Sequence, residues 1–305
     1  MTPSAPAAPS LSRTPATPPG SSLSESHPRP QQMRRGMRRK QATTRRIVIG
    51  VIMAFFLIPL TSMLYFSVRY PLSGKWTGHS WSDLIHIQAL AAEDPADYGQ
   101  LWDGLKNSAV LVVLTVVLML VLLIPTMTWI RLRVRWLSRT LEFVCLLPLT
   151  IPAIVLVVGL GPVYRIVSSV LSTNSIWLCF IYVILVLPFA YRALDAGLGA
   201  IDLPTLSEAA RSLGAGWLRI LWRIVLPNIR SAVVSACFIS VALVLGEFTI
   251  AQLLARNNLQ TGIYLVSQSD GQLAVTMSLA ALLLAFVLLM VLSLLSGDRK
   301  SQEGS

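Results

Sequence analysis

One acidic residue in the sequence stands where a charge is unfavourable. Glu247 lies in the segment Gly246-Glu247-Phe248-Thr249-Ile250-Ala251, within a long apolar run. An ionisable side chain at the bilayer centre costs roughly 2.5–3.5 kcal/mol for the groups measured, and such residues usually face a protein interior or a water-filled path. Glu247 is therefore a candidate for lining a path through a membrane. A plain hydrogen bond to a neighbouring helix is an equal alternative.

A second group of informative residues begins a polar loop between two apolar runs. Thr205 and Glu208 have the three-residue spacing of a capping box, in which the cap and the later Glu satisfy the free N–H groups of a helix start. Asp202 is a rival cap. The sequence therefore predicts that a helix begins here.

The rest of this loop predicts a hairpin of two short helices. Apolar residues recur at helical spacing and form one face, and they are Leu206, Ala209, Ala210 and Leu213. Gly214 follows, where a helix often ends in the left-handed conformation. A second helix is predicted from Trp217 to Val225, closed by Pro227. The small alanine side chains would let another protein approach this face closely.

Other chemistry is not visible in the sequence. The three cysteines lie inside apolar runs, and neither they nor the three histidines have the spacing of metal ligands. A phosphate loop is also missing, because Gly74-Lys75 is followed by Trp76 and lacks the upstream glycine. We therefore assign no catalytic residue, metal or cofactor to this chain.

The composition of the chain indicates a membrane protein. Of its residues, 54% are hydrophobic and 13% are charged, whereas soluble proteins carry about 25% charged residues. A helix needs about 20 apolar residues to cross the hydrocarbon. About six segments qualify: Ile47–Val68, Ser108–Ile130, Phe143–Tyr164, the end of Ile166–Tyr191 from near Ser175, Ser231 to past Gly246, and a part of Gln272–Ser296. The predicted fold is an all-α polytopic membrane protein.

The distribution of Lys and Arg predicts the orientation of these spans. With the N-terminus inside, 20 of the 25 Lys and Arg residues fall in inside segments and five fall outside. Cytoplasmic loops carry such an excess. Both termini and the hairpin loop are therefore expected on the cytoplasmic side.

The two ends of the chain are expected to be tails flanking one membrane domain of residues 47–297. Residues 1–46 are rich in Pro and Ser and then basic, which predicts a disordered cytoplasmic tail. The basic cluster precedes an apolar segment, so we interpret it as a topology anchor and expect no nucleic-acid partner. Residues 298–305 form a second short tail.

Prolines concentrate in the third and fourth predicted spans. They are Pro148, Pro152, Pro162 and Pro188. Proline breaks the helical hydrogen-bond ladder, and such breaks persist at bilayer depth where neighbouring helices or water satisfy the freed carbonyls. These two helices are expected to pack against others, with simple kinking as an equal alternative.

The hairpin loop resembles a family signature. Its residues in order are Glu208-Ala209-Ala210, then Gly214, Ile224, Leu226 and Pro227, at the spacing of the EAA motif of binding-protein-dependent ABC transporter permeases. The position between the fourth and fifth spans also fits. The Gly-Glu-Phe segment at Glu247 is similar to permeases of polyamine, ferric-iron and other small-solute importers.

This resemblance implies a fold and a set of partners. It implies a type I importer permease whose loop 195–228 docks in a groove of a separate ATPase subunit, with ATP and Mg held by that subunit. It also implies a second permease chain, identical or homologous, and an external solute-binding protein. The site residues carried by the motif are Glu208, Ala209, Ala210, Leu213, Gly214, Ile224, Leu226 and Pro227. The implied location is the cytoplasmic membrane of a prokaryote.

Two other functions remain as alternatives from the sequence. An ion-coupled secondary transporter would need ionisable pairs in several spans, and only Glu247 qualifies. A non-transporting membrane scaffold would carry the hairpin as an interfacial amphipathic helix without a partner. The motif spacing favours the permease.

Overall fold

The computed structural model describes residues 30–69 and 74–297 of the 305-residue chain. Residues 1–29, which make up most of the predicted N-terminal tail, lie outside the described residues. The predicted C-terminal tail of residues 298–305 lies outside them as well.

The chain divides into two compact units, Met1–Leu57 and Ile58–Ser305. The boundary falls inside the first helix, α1, which spans Pro30–Val68 and so begins within the stretch assigned to the tail. From Arg45 to Val68 this helix is uncharged after its first two residues and long enough to cross a bilayer. Its apolar side chains there are largely exposed, as lipid-facing side chains are.

The remaining elements are helices of very different lengths, joined by short 3-10 and π segments. In chain order they are α2 (His79–Ile85), α3 (Ile87–Glu93), α4 (Gln100–Arg133), α5 (Ser138–Leu146), α6 (Ala153–Val170), α7 (Cys179–Gly199), α8 (Leu203–Ser212), α9 (Trp217–Ile220), α10 (Leu226–Asn228), α11 (Arg230–Leu245), α12 (Thr249–Leu253), α13 (Leu259–Ser269) and α14 (Gly271–Gly297). Within the described ranges, extended pairing is limited to one isolated bridge between Arg69 and Trp76. The predicted all-α polytopic fold is confirmed.

The membrane-crossing helices agree with the predicted count. Five are long and apolar enough to cross a bilayer, in segments Arg45–Val68, Gln100–Arg133, Ala153–Val170, Ser175–Gly199 and Gly271–Leu288. A sixth crossing is available if α11 is taken together with the helical segment Trp217–Asn228, which meets it at a bend of 79°. The chain therefore has five spans and one bent pair.

The predicted third span, Phe143–Tyr164, is wrong as a continuous helix. The structure breaks it into α5, a 3-10 turn at Leu147–Thr150, and α6. Ile151 is extended, with φ of −105° and ψ of 120°, because a residue that precedes proline is pushed away from helical geometry. Pro152 then caps the start of α6. Two prolines four residues apart end one helix and begin another.

The predicted fifth span is also too long. It was expected to continue past Gly246, whereas α11 ends at Leu245 with Gly246 as its C-cap. A short break follows before α12 begins at Thr249. Glu247 therefore lies in the break between two helices, not inside a membrane-spanning helix.

The main core is built where α4, α7 and α11 pack together. Close approach of α7 and α11 depends on Gly197, since a Cβ there would lie 2.3 Å from the Cβ of Ala232. Small residues at such contacts are typical of helix packing in membranes, where close backbone approach drives association. A second, smaller cluster joins α13 and α14 to the start of α4 and to α3. The long-range contacts below depend on this arrangement.

The proline-bearing helices differ in how they pack. Pro188 is buried within α7, half of whose span window is buried, so the expected packing is confirmed there. Helix α6, which carries Pro162, buries only Val157 and Tyr164 in this chain. Helix α6 packs against α12 and adds these two residues to the main core, while many of its other apolar residues face outward and are left for lipid or another chain to cover.

Candidate functional site

The loop between α7 and α11 forms the predicted hairpin, and its first helix begins at a clear cap. The Asp202 carboxylate accepts hydrogen bonds from the Thr205 backbone N–H at 3.4 Å and from the Thr205 hydroxyl at 2.7 Å. Pro204 lies in the first turn, where its missing N–H is no loss. The rival cap, Asp202, is therefore the actual one, and the prediction of Thr205 as cap is wrong.

Gly214 ends this helix as predicted. Its φ is +80°, in the left-handed region. The Gly214 N–H donates to the Arg211 carbonyl, and the Ala215 N–H donates to the Ala210 carbonyl, both at 2.9 Å. This pair of bonds is a Schellman motif, which satisfies the free carbonyls at a helix end. A Cβ at Gly214 would meet nothing within 4 Å, so only the backbone conformation requires glycine.

The second arm of the hairpin is longer than predicted. It comprises α9, a π segment at Leu221–Val225, and α10, which ends at Asn228. Pro227 lies inside the arm, where the first turn of α10 tolerates it. The prediction that Pro227 closes the arm is wrong, because the direction changes at Ile229, between Asn228 and Arg230. We call residues 203–228 the hairpin.

The predicted apolar face of α8 is divided by the fold. Ala210 is 9% exposed and belongs to the main core, together with Leu203. Leu206, Ala209 and Leu213 point outward. The prediction of one outward apolar face that includes Ala210 is therefore wrong. A helix places residues three and four apart on the same side, and Ala210 follows the buried residues Leu203 and Ser207 at that spacing.

The outward side of the hairpin carries large apolar groups. Leu213 is 86% exposed, and Leu218 and Trp222 on the second arm are about two-thirds exposed. Glu208 is also exposed and forms no ion pair within the described residues. Ile224 and Leu226 instead pack, partly buried, against the main core. The hairpin therefore has an anchored side and an unpartnered side.

Glu247 lies in a different setting from the hairpin. It is 8% exposed, and its carboxylate accepts the backbone N–H of Ile250 at 2.7 Å and that of Ala251 at 3.3 Å. These are N–H groups of the first turn of α12, which have no partner within the helix. Tyr182 of α7 donates its hydroxyl to the same carboxylate at 2.9 Å. Glu247 thus caps one helix and ties it to another.

Asn258 completes this buried cluster. Its amide donates to the Tyr182 hydroxyl at 3.1 Å and to the Glu247 carbonyl at 2.6 Å. Its side-chain oxygen accepts the Thr261 N–H at 2.9 Å, in a capping box that starts α13. We call Tyr182, Glu247, Asn258 and Thr261 the Glu247 network. Of the two interpretations of Glu247, the structure favours hydrogen bonding over a carboxylate that lines a path.

The other members of this network were not predicted from the sequence. Tyr182 precedes Glu247 by 65 residues, and Asn258 follows it by 11. The one local signal was Asn258 with Thr261, which has the spacing of a helix cap and its third residue. The contact between α7 and the break after α11 depends on the tertiary fold.

The residues on either side of Glu247 face two neighbouring grooves. One groove has a volume of about 550 Å³ and is lined by Phe248, Gln260 and Tyr264 among others. The other has a volume of about 380 Å³ and is lined by Gly246 and again by Gln260. No charged side chain lines either groove within the described residues. The segment around Glu247 thus presents an uncharged surface while its carboxylate turns into the core.

Together, the spans and the hairpin define a polytopic helical membrane protein. Residues 123–299 match the family described as "Binding-protein-dependent transport system inner membrane component". This match covers more than half of the chain and includes the whole hairpin, so the chain belongs to that family. The family is one of transport components rather than of enzymes. The resemblance found in the hairpin motif is confirmed.

Two curated relatives are similar to part of the chain. The "Probable ABC transporter permease protein y4fN" of Sinorhizobium fredii is 32% identical over 52% of this chain and 29% of its own length. The "Ferric transport system permease protein FbpB" of Actinobacillus pleuropneumoniae is 28% identical over 48% of this chain and 23% of its own length. The matched part therefore covers less than a third of either relative's own length.

Proposed function

We propose that this chain is a permease subunit of an ATP-binding-cassette importer in the cytoplasmic membrane of a prokaryote, with both termini cytoplasmic. It would form part of the path by which a small solute, delivered by an external binding protein, crosses the bilayer. Hydrolysis of ATP, with its Mg, would take place on a separate ATPase subunit. Alternating access follows if ATP binding favours one of two membrane-domain conformations.

The observation that carries this proposal is the two-sided hairpin. Its inner side is anchored in the main core through Leu203, Ala210 and Ile220. Its outer side leaves Leu213, Leu218 and Trp222 exposed, and Leu213 lies outside all the candidate membrane-crossing segments. Exposed apolar groups rimmed by polar residues mark a surface that binds another protein or a membrane, and the family motif on the same hairpin favours a protein. A force applied there reaches α7 and α11, which the hairpin connects.

A second permease region is also part of the proposal. The relatives are about twice as long as this chain, which leaves room in each for another region of similar size. In this chain α6 has an apolar surface that the described residues do not cover. A second copy or a homologous chain would supply the other half of the path.

The path itself is better assigned to the grooves beside Glu247 than to its carboxylate. Phe248, Gln260 and Tyr264 offer aromatic and amide groups to a solute. The Phe248 and Tyr264 rings pack against each other at 5.4 Å between centroids. Glu247 would then be a positioning residue that holds this surface in place.

The test uses association and transport together. The wild-type chain is purified from its native membranes, and the co-purifying ATPase is identified and assayed. Leu213→Asp places a charge on the outer side of the hairpin without touching the core, and it should abolish ATPase co-purification and solute uptake while membrane levels persist. Trp76→Asp is the matched control, since Trp76 is also exposed and lies in the α1–α2 loop, on the opposite predicted side of the membrane. Purification of the wild-type chain with no nucleotide-hydrolysing partner would favour the scaffold instead.

A further inference from the structure

A cavity lies where the end of α4 meets the start of the hairpin. Its volume is about 330 Å³. Arg131, Arg135 and Ser138 line it from the α4–α5 connection, and Leu203 and Pro204 line it from the first turn of α8. Neither the residues of the family motif nor those on the outer side of the hairpin line this cavity.

The arginines of this cavity differ in how they are used. One terminal nitrogen of Arg131, Nη2, binds the Asp195 carboxylate and also donates to the Asp195 backbone carbonyl at 2.9 Å. This pairing holds the Arg131 side chain in place. Because it uses only Nη2, the other N–H groups of the guanidinium remain available to a ligand. Arg135 is exposed and forms no ion pair in the part of the chain that the structure describes.

The net charge at the cavity is therefore positive. Asp195 neutralises Arg131, while Arg135 remains uncompensated. Arg133 and Arg139 are also exposed close by in the sequence, but neither lines the cavity. A guanidinium group presents its N–H donors in a planar fork that fits phosphate oxygens. The Ser138 side chain adds a hydroxyl group at the cavity wall.

The cavity also lies at the depth of lipid headgroups. Helix α4 is uncharged from Ser108 to Ile130, a run long enough to fill a hydrocarbon layer of about 30 Å. Arg131 and Arg133 follow in its last turn, which places that turn at the edge of the hydrocarbon, where Arg side chains reach the interface. Trp129 and Trp136 flank this end with exposed side chains, as tryptophans do at a membrane interface.

We propose that this cavity binds a phosphate group, supplied by the headgroup of an anionic phospholipid, between Arg131, Arg135 and Ser138. Basic pockets between helices at the cytoplasmic face are suited to such headgroups. The bound phosphate would touch the first turn of α8 at Leu203 and Pro204. Lipid composition would in this way act on the base of the hairpin.

The test compares two arginines of the same connection. The full-length chain is purified in detergent, and binding of phosphatidylglycerol and of phosphatidylcholine is measured by native mass spectrometry. Arg135→Gln should weaken phosphatidylglycerol binding about fivefold, the loss expected for one basic residue near an anionic headgroup. Arg139→Gln is the matched control and should leave it unchanged. Neither change breaks an ion pair among the described residues, so both variants should keep the wild-type unfolding temperature.

Inorganic phosphate is the second probe. Phosphatidylglycerol should remain bound in millimolar phosphate if the acyl chains contribute to binding. Displacement by phosphate in the wild type, lost in Arg135→Gln, would assign the same site to a soluble phosphate. Equal weakening by Arg135→Gln and Arg139→Gln, or weakening by neither, would overturn the proposal, because binding would then reflect surface charge alone. The measurement needs no ATPase, so its failure leaves the proposed transport function untouched.

Discussion

The hairpin and the Glu247 network solve the same local problem in opposite surroundings. Each starts a short helix with a carboxylate: Asp202 caps α8, and Glu247 caps α12. Asp202 is exposed, and within the described residues its carboxylate is bonded to Thr205 alone, three positions on. Glu247 is buried and also joins α7 to the break after α11.

This difference determines which hydrogen bonds can persist when one part of the molecule moves. Bonds within one short helix can persist while the whole hairpin shifts with a partner. The hydrogen bonds that join Tyr182 to Glu247 and to Asn258 would break if α7 separated from the break after α11. We therefore expect the Glu247 network to hold α7 and the segment after α11 together, and the hairpin, which is anchored in the main core on one side, to transmit force.

The largest expected effect belongs to Glu247→Ala. It would leave the N–H groups of Ile250 and Ala251 and the Tyr182 hydroxyl without their acceptor, at roughly 1–3 kcal/mol for each buried group. The measurement is thermal unfolding of the purified protein in detergent, and the unfolding temperature should fall sharply. Glu247→Gln keeps one acceptor oxygen, so its unfolding temperature should fall less. Wild-type unfolding of Glu247→Ala would show that the network contributes no stability.

The next effect separates two neighbouring alanines of the hairpin. Ala210→Glu forces a charged side chain towards the main core and should destabilise α8 by about 2 kcal/mol. Ala209→Glu points outward and should leave α8 intact. Hydrogen–deuterium exchange of residues 203–213 measures both. Equal exchange in the two variants would contradict the division of α8 into an inner and an outer side.

Gly214 gives a smaller effect that depends on the backbone alone. Gly214→Val should cost about 1–2 kcal/mol, because a β-branched residue is strained at positive φ. Gly214→Asn should be nearly neutral, since asparagine tolerates the left-handed conformation. Both variants should insert normally, and only Gly214→Val should lose solute-stimulated ATP hydrolysis in reconstituted vesicles. Similar coupling in both would show that the bend at Gly214 is not needed.

The smallest expected effect distinguishes the two candidate caps. Asp202→Ala removes the acceptor at the start of α8 and should cost about 1 kcal/mol. Thr205→Ala removes only a hydroxyl donor and leaves the backbone bond to Asp202 in place, so it should cost less. Exchange rates of the first turn of α8 decide between them. A larger effect of Thr205→Ala would restore Thr205 as the cap.

What the sequence predicted correctly depends on short-range chemistry. The left-handed Gly214, the family motif and the number of spans follow from residue type and local spacing. The break at Ile151 also has a local cause in Pro152. It was missed because hydrophobic content alone made Phe143–Tyr164 look continuous.

The direction in which a side chain faces was harder to predict. Ala210 and Ala209 are identical in type, and only the packing of α8 against the main core separates them. For Glu247 the sequence left path lining and hydrogen bonding as equal alternatives, because its partner Tyr182 is 65 residues away. Neither orientation is encoded within a window of ten residues, so neither is predictable without the tertiary fold.

Photo-crosslinking at Leu213 would show whether the hairpin is where an ATPase binds. A photo-crosslinking residue replaces Leu213, which is 86% exposed, and in a separate variant Trp76, which is 73% exposed. After irradiation of intact cells, the crosslinked proteins are identified by mass spectrometry. We expect the residue at position 213 to crosslink to a protein that carries an ATP-binding phosphate loop, and the residue at position 76 not to do so. No such product at Leu213, or the same product at both positions, would contradict the claim that the hairpin is where the ATPase binds.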